Sequence, residues 1–452
     1  MRRWTVLLVL SIVMMTGYIF WDILSPLSTL IKAPTAEGGL GWTAEEYGFF
    51  SGSYSFFNVF LLMLVWGGLI LDRMGPRFTG ILATTMMLLG ATICYYAMTQ
   101  LSSTESWHLP FVGLQKAQVV IAALGFGAFG VGCDMTGIAI SALIVSWFTG
   151  RELASAMGTQ VALARVGTAL AISMSPIIAY HYGLHGPLIV GVGVLLAGFI
   201  LFAVYVATMD KKGARIKAQE AKEEQKENVA QPASNTGKKS FSVLAFALIV
   251  LLCVCFYSSI RPFLKFSTDV LINKFDVDGV TAGWISSILP YGTIVLTPLF
   301  GHLYDRYGHG ATLMLAGCCL TLLSHFMLML PIINNTWIAV IVMFCLGVAF
   351  SLVPSAMWAS IPQIVPYKRL GISYSIIFYI QNWGLMLTPI WVGRSIDLHT
   401  QTQTDGTLIV DYQTPLSIFV GISFLAAVVA LLLLVVDRHQ QIGLERPNIV
   451  AR

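Results

Sequence analysis

Apolar residues recur along the whole chain in runs of about twenty or more, separated by short polar breaks. Each run is read as one element. Twelve result, at 4–28, 44–71, 78–99, 117–147, 152–180, 187–208, 241–268, 280–304, 311–331, 336–362, 369–397 and 413–436. At ~1.5 Å per residue, about 20 helical residues cross a ~30 Å hydrocarbon layer. The runs lack the alternation of barrel strands, and in lipid only a helix or a closed barrel satisfies its own backbone. The pattern therefore predicts an all-α membrane protein with 12 transmembrane helices. Met1-Arg2-Arg3 before the first run resembles the start of a secretory signal, but no small-residue cleavage site follows and the apolar run continues to about Leu24. The first run is read as a retained helix.

Composition agrees. Charged residues are 11% of the chain and hydrophobic residues 56%, whereas a soluble surface takes roughly 25% charge. The net charge of +4 matters less than its placement. With both termini taken as cytoplasmic, nineteen Lys and Arg fall on the inner side and four (Lys32, Lys116, Lys274, Arg394) on the outer. That asymmetry sets the orientation. The seven cysteines all lie within apolar stretches and read as small hydrophobes rather than a disulfide framework. The segment 209–240, rich in Lys, Glu, Gln and Ala, cannot bury a core. It is expected to be a cytoplasmic linker between six-helix bundles at 1–208 and 241–452.

A repeat supports two halves. Gly68-Leu-Ile-Leu-Asp72-Arg73-Met-Gly75 follows span two, and Gly301-His-Leu-Tyr-Asp305-Arg306-Tyr-Gly308 follows span eight. One occurrence of Gly-x-x-x-Asp-Arg-x-Gly would say little; two in register do more. The pattern resembles the loop signature of the major facilitator superfamily, which implies two pseudo-symmetric six-helix bundles around a central path. In that reading Gly68, Asp72, Arg73, Gly75, Asp305 and Arg306 form a cytoplasmic latch, with the glycines letting helices cross closely and the acids meeting a helix N-terminus. The alternative is an ordinary short inner loop. Gly125-Phe-Gly-Ala-Phe-Gly130 matches a dinucleotide fingerprint, but no strand precedes it, so the glycines read as helix packing. No cofactor and no nucleic-acid partner is expected.

Ionisable groups inside spans are candidates for function. Asp134 lies thirteen residues before Trp147, and Arg165 thirteen after Glu152. Both are thus about 20 Å from the inner face. Either they pair and brace the bundle, or they face the path and hold an ammonium and a carboxylate. Gln381 and Asn382 reach a similar depth in span eleven and could bond a substrate or glue helices. Arg261 and Lys265, far along span seven, are expected to snorkel at the outer interface. Asp22, near the outer end of span one, is a candidate gate residue. Tyr54, Asn58, Tyr257 and Trp358 are candidate lining groups, and His325 is read as a packing histidine.

Several stretches are similar to the lysosomal dipeptide exporter branch of the superfamily. They are Tyr18-Ile-Phe-Trp21-Asp22, Tyr54-Ser-Phe-Phe-Asn58, Ser146-Trp-Phe-Thr-Gly-Arg151-Glu152 running into Ala164-Arg165-Val-Gly167, Ser324-His325, and Ile380-Gln381-Asn382-Trp383-Gly384. The resemblance implies dipeptide transport, with the span-four acid (Asp134) and span-five arginine (Arg165) at the peptide termini. That branch carries a glutamate where this chain has Asp134, which implies a different reach to the ligand. Only three residues precede the first span, so a bacterial-type inner or plasma membrane is expected. The expected function is a monomeric secondary transporter of a small zwitterion; an organic-anion or nitrate porter is the alternative, with a membrane receptor behind it.

Overall fold

The computed structural model describes residues 2–102, 105–109, 113–148, 153–208, 242–332, 334–365, 370–402 and 408–446. The linker expected over 209–240, and the basic loop residues Arg151, Lys368 and Arg369, lie outside the described residues.

The chain is almost entirely helical. Its first half comprises α1 (Arg2–Asp22), α2 (Ser28–Lys32), α3 (Ala44–Gly52), α4 (Phe56–Phe60), α5 (Met63–Gln100), α6 (Ala117–Phe148), α7 (Leu153–Tyr182) and α8 (His185–Thr208). Its second half comprises α9 (Val243–Phe275), α10 (Gly279–Tyr307), α11 (Gly310–Met329), α12 (Thr336–Ile364), α13 (Leu370–Leu398) and α14 (Gln413–Gln440). Two antiparallel hairpins that the hydropathy pattern did not flag, β1 (Ser106–Leu109) with β2 (Gly113–Lys116) and β3 (Thr400–Thr402) with β4 (Leu408–Val410), cover connections on one face.

Among the described residues ten stretches are long and apolar enough to cross a membrane. Two differences from the expected spans have local causes. α5 runs continuously through the end of span two and all of span three, although the chain swings at Gly75, whose φ of 79° and ψ of 167° suit glycine alone. α13 is not among the ten because Gln381, Asn382, Arg394 and Asp397 dilute its apolar run. Large apolar side chains stand exposed along α8 (Ile189, Leu196, Ile200, Val204) and α14 (Phe424, Leu431, Val435). A surface of that kind calls for lipid.

The halves repeat in their packing. α1 packs on α7 and α8, as α9 packs on α13 and α14; α5 packs on α6, as α11 packs on α12. Two seams join the halves, α3 with α13 and α7 with α10, and they are also repeat equivalents of each other. The start of α1 and the end of α14 define a terminal face; the hairpins lie on the opposite, distal face. Backbone meets backbone in the seams. A Cβ added to Gly48, Gly52 or Gly393 would collide with the carbonyl oxygen of Pro389, Met386 or Ala44 respectively.

The distal face is also joined by charge. Asp397 on α13 accepts from the backbone N–H groups of Ala44 (2.8 Å) and Glu45 (2.7 Å), at the start of α3. There it supplements the capping box of Thr43 and Glu46 and meets the positive end of the helix. Asp269 on α9 is fully buried and accepts from Lys32 (2.7 Å) and Thr29 (2.8 Å) of the first half, besides Tyr412 (2.8 Å). This is a conformation shut at the distal face.

The residues expected to form a latch lie elsewhere. Asp72, Arg73 and Arg306 are exposed at the terminal face, with Asp305 partly so. The expected close crossing at Gly68, and at Gly301 in the repeat, is absent: nothing lies within 4 Å of a Cβ built on either. The physical reason is the state itself, since the contacts joining the halves are gathered at the opposite face. Gly75 and Gly308 do share one property, a positive φ of 79° and 74°, so both copies of the signature end in a turn that favours glycine.

Candidate functional site

Span two is not one helix. A short 3₁₀ turn at Ser53–Ser55 precedes α4, and α4 gives way to α5 at Leu62, whose φ is 51°. A left-handed leucine costs roughly 1–2 kcal/mol. The interruption presents Tyr54 and Asn58 on the same side, toward α6. Gly130, the last glycine of the sequence's false fingerprint, lets α6 come against the Tyr54 carbonyl, which a Cβ there would strike. One turn further along α6 is Asp134, and it accepts from the Tyr54 hydroxyl at 2.8 Å and from Asn58 Nδ2 at 2.6 Å. Sequence reasoning named all three without linking them.

The carboxylate of Asp134 is therefore held by neutral donors. Among the described residues it forms no ion pair with Arg165, so the internal salt bridge considered from equal depth does not exist in this state. Depth counting gives the height of a side chain along a helix and not the direction in which it points. Arg165 instead crosses to the other half, its guanidinium carbon 4.7 Å from the centre of the Phe350 ring on α12. Both Asp134 and Arg165 are partly buried.

Around Phe350 stand other expected residues. Tyr257 makes an edge contact with the Phe350 ring at 5.7 Å, and its hydroxyl accepts from Trp358 Nε1 at 3.0 Å. Trp358 stacks on Phe378. Gln381 and Asn382 are buried on α13 and do not join this group: Gln381 accepts weakly from the Cys253 thiol at 3.7 Å, and Asn382 Nδ2 donates to the Phe378 carbonyl of its own helix. The Asn382 carbonyl oxygen is buried without a partner.

Arg261 and Lys265 correct the expectation most clearly. They do not snorkel; they are 7% and 8% exposed and meet Asp22 of the other half. Lys265 Nζ donates to Asp22 Oδ1 (2.9 Å), the Trp21 carbonyl (2.6 Å) and Ser25 Oγ (2.9 Å). Arg261 approaches Asp22 Oδ2 at 3.5 Å and lies over the ring of Trp21 at 4.6 Å. Trp21 in turn stacks flat on Tyr54, with ring centres 4.1 Å apart. The space left among Trp21, Asp22, Tyr54, Arg261 and Lys265 is ≈ 20 Å³, enough for about one water and not for a solute. The signal that could have found this cluster was in the sequence: one acid and two cations at matching distances from the distal end of spans one and seven.

The site thus holds charged groups of both signs at the junction of two repeated halves, and it is sealed on one side. His325 stays apart from it, between Phe263 and Phe419, and among the described residues its ring nitrogens make no well-formed hydrogen bond.

Comparison with known proteins accords with this geometry. Residues 6–389 and 266–447 match the family model of the Major Facilitator Superfamily. The chain is 30% identical over 357 residues to the lysosomal dipeptide transporter MFSD1 of Danio rerio, covering 76% of this chain and 71% of that one. It is 28% identical over 355 residues to the Homo sapiens protein of that name, covering 76% and 70%. Among solved structures, the xylose transporter XylE from E. coli aligns with a TM-score of 0.69 at 14% identity, covering 96% of this chain and 95% of that one. A peptide transporter POT aligns with a TM-score of 0.65 at 14% identity, covering 98% and 96%. The family model spans most of the chain and the solved structures share its fold, so the chain belongs to the Major Facilitator Superfamily and is a multi-pass membrane transporter, not an enzyme.

Proposed function

We propose that this transporter carries a small zwitterion, most simply a dipeptide, by alternating access between its two halves. The observation that carries the reading is the separation of Asp134 from Arg165. Among the described residues the acid is held by the neutral donors Tyr54 and Asn58 alone, and the arginine rests on the Phe350 ring of the other half. Buried charges without opposite partners are costly, so a ligand with an ammonium and a carboxylate supplies what each lacks. Relatives named as dipeptide transporters support the same substrate class.

In this proposal α5 contributes the end of the second span and the whole third, and α13 the eleventh, for twelve in all. Residues 1–208 and 241–452 form the bundles, joined by the 209–240 linker, and the protein acts as a monomer. The Lys/Arg asymmetry supports a cytoplasmic terminal face, and on that reading the conformation described is closed to the outside. The latch at Asp72, Arg73, Asp305 and Arg306 engages in the opposite state.

Flux into liposomes tests the proposal, with a thermal-shift comparison of dipeptides, amino acids and dicarboxylates on the same protein. Stabilisation by dipeptides and their uptake are expected. A second reading, an organic-anion porter, is favoured by the excess of cations (Arg165, Arg261, Lys265) over acids (Asp22, Asp134) near the centre. Stabilisation by dicarboxylates and not by dipeptides would select it.

A further inference from the structure

Lys265 and Arg261 share Asp22 unequally. A lysine ammonium has three donors, and Lys265 spends all three on Asp22 Oδ1, the Trp21 carbonyl and Ser25 Oγ. Arg261 has five donors in a planar fork, yet it meets Asp22 only at 3.5 Å. Lys265 bonds the other oxygen of that carboxylate, Asp22 Oδ1, and leaves to Arg261 the side of Oδ2. The guanidinium is 7% exposed for the residue as a whole and otherwise lies on aromatic faces, Trp21 at 4.6 Å and Phe350 at 5.6 Å. Among the described residues, Arg261 is a buried cation with most of its hydrogen-bonding capacity unspent.

Phe350 is the ring that also carries Arg165, at 4.7 Å. Stand-offs of 4.7 and 5.6 Å from one ring centre put the two guanidinium carbons at most about 10 Å apart. One comes from α7 in the first half and the other from α9 in the second. Two guanidinium groups brought this close in a low-dielectric interior repel, and among the described residues Arg165, unlike Arg261, forms no ion pair with Asp22. A carboxylate has about four lone-pair sites and can accept from two arginines at once.

We propose that Arg261 is the second guanidinium of the substrate-carboxylate site: the ligand carboxylate bridges Arg165 and Arg261, and in doing so it draws Arg261 away from Asp22. The inference rests on the zwitterion reading above and extends it. A ligand moves a conformational equilibrium only by binding one state better, and a carboxylate held from both halves binds best when the halves are closest at the centre. The same contact weakens one tie of the distal lock. Occupancy and release of the distal face then share a single side chain.

The test is a binding comparison on the full-length purified protein, using alanyl-alanine, its C-terminal amide and N-acetylalanine. Wild-type protein should prefer the free acid to the amide. Arg261→Gln should bind the acid about tenfold or more weakly while the amide is unchanged within about twofold, and Arg261→Lys should fall between. An unaltered acid-to-amide ratio in Arg261→Gln, or equal weakening of both ligands, would overturn the proposal and leave Arg261 as a lock residue only. Should Arg261→Gln fail to fold, Asp22→Asn serves instead: relieved of its competing carboxylate, Arg261 should tighten the acid and not the amide, and no change would count against the bridge. If wild-type protein binds neither dipeptide ligand, the dipeptide reading fails on its own. N-acetylalanine, a carboxylate without an ammonium, then decides the bridge: binding that requires both Arg165 and Arg261 upholds it, and binding indifferent to Arg261, or absent, rejects it.

Discussion

Asp397 of the second half grips the first two backbone N–H groups of α3 in the first half, Ala44 at 2.8 Å and the nearer, Glu45, at 2.7 Å. A carboxylate on the positive end of a helix is worth about 0.3–1 kcal/mol when exposed and up to ~2 kcal/mol when partly buried. Here that energy belongs to the closed distal face alone. Asp397→Ala should therefore shift the population toward distal-open. Spin labels at Glu37→Cys and Asp276→Cys, exposed on opposite halves, read by double electron–electron resonance in a protein lacking the exposed Cys319, should gain a longer-distance component. An unchanged distribution means the cap is redundant.

Asp134 offers a sharper chemical test. Replacing it with Asn keeps an acceptor for Tyr54 and removes the charge. The variant should bind a dipeptide roughly tenfold or more weakly, and N-terminal acetylation of the ligand, costly for wild type, should then cost little. If acetylation weakens both proteins equally, the ammonium is held elsewhere.

The seam glycines predict a one-sided defect. Gly52→Ala places a methyl against the Met386 carbonyl, so the distal face cannot close. Flux in liposomes should fall by more than an order of magnitude while the protein stays folded. Gly68→Leu is the converse: nothing surrounds that position in this state, so bulk there should be harmless until the terminal face closes. It should enrich the distal-closed population in the spin-label measurement; a shift the other way would show that Gly68 takes no part in the latch.

His325 is buried between Phe263 and Phe419, and among the described residues its ring nitrogens make no well-formed hydrogen bond. An unsatisfied polar group costs about 1–3 kcal/mol. His325→Phe should thus leave transport intact and raise the melting temperature. Loss of flux without loss of stability would instead give the imidazole a role in transport.

The limits of the sequence can be located residue by residue. The apolar runs at 117–147 and 336–362 became α6 and α12 nearly to the residue, because hydrophobic length is a property of one segment. The repeat at Asp72 and Asp305 likewise announced two halves. What one segment does not contain is its neighbour across the seam. Arg261 and Lys265 read as interfacial because their height was known and the presence of Asp22 opposite them was not. Phe350, one apolar residue among many, became visible only when two arginines were found upon it. For Asp134 and Arg165 the sequence left pairing and separate roles both open, since rotation about the helix axis is set by packing; in this state they do not pair.

The seams carry one more implication. Where Gly48, Gly52 and Gly393 bring main chain against main chain, the seam itself closes without a long side chain having to choose a rotamer. Ordering a flexible side chain can cost up to ~2 kcal/mol; the glycine seam is spared that cost, which falls on the ion pairs of Lys32 and Lys265 instead. Such a hinge is nearly indifferent to what passes it. On the proposed reading, selection of cargo then falls to the few charged groups at the centre and not to the seam.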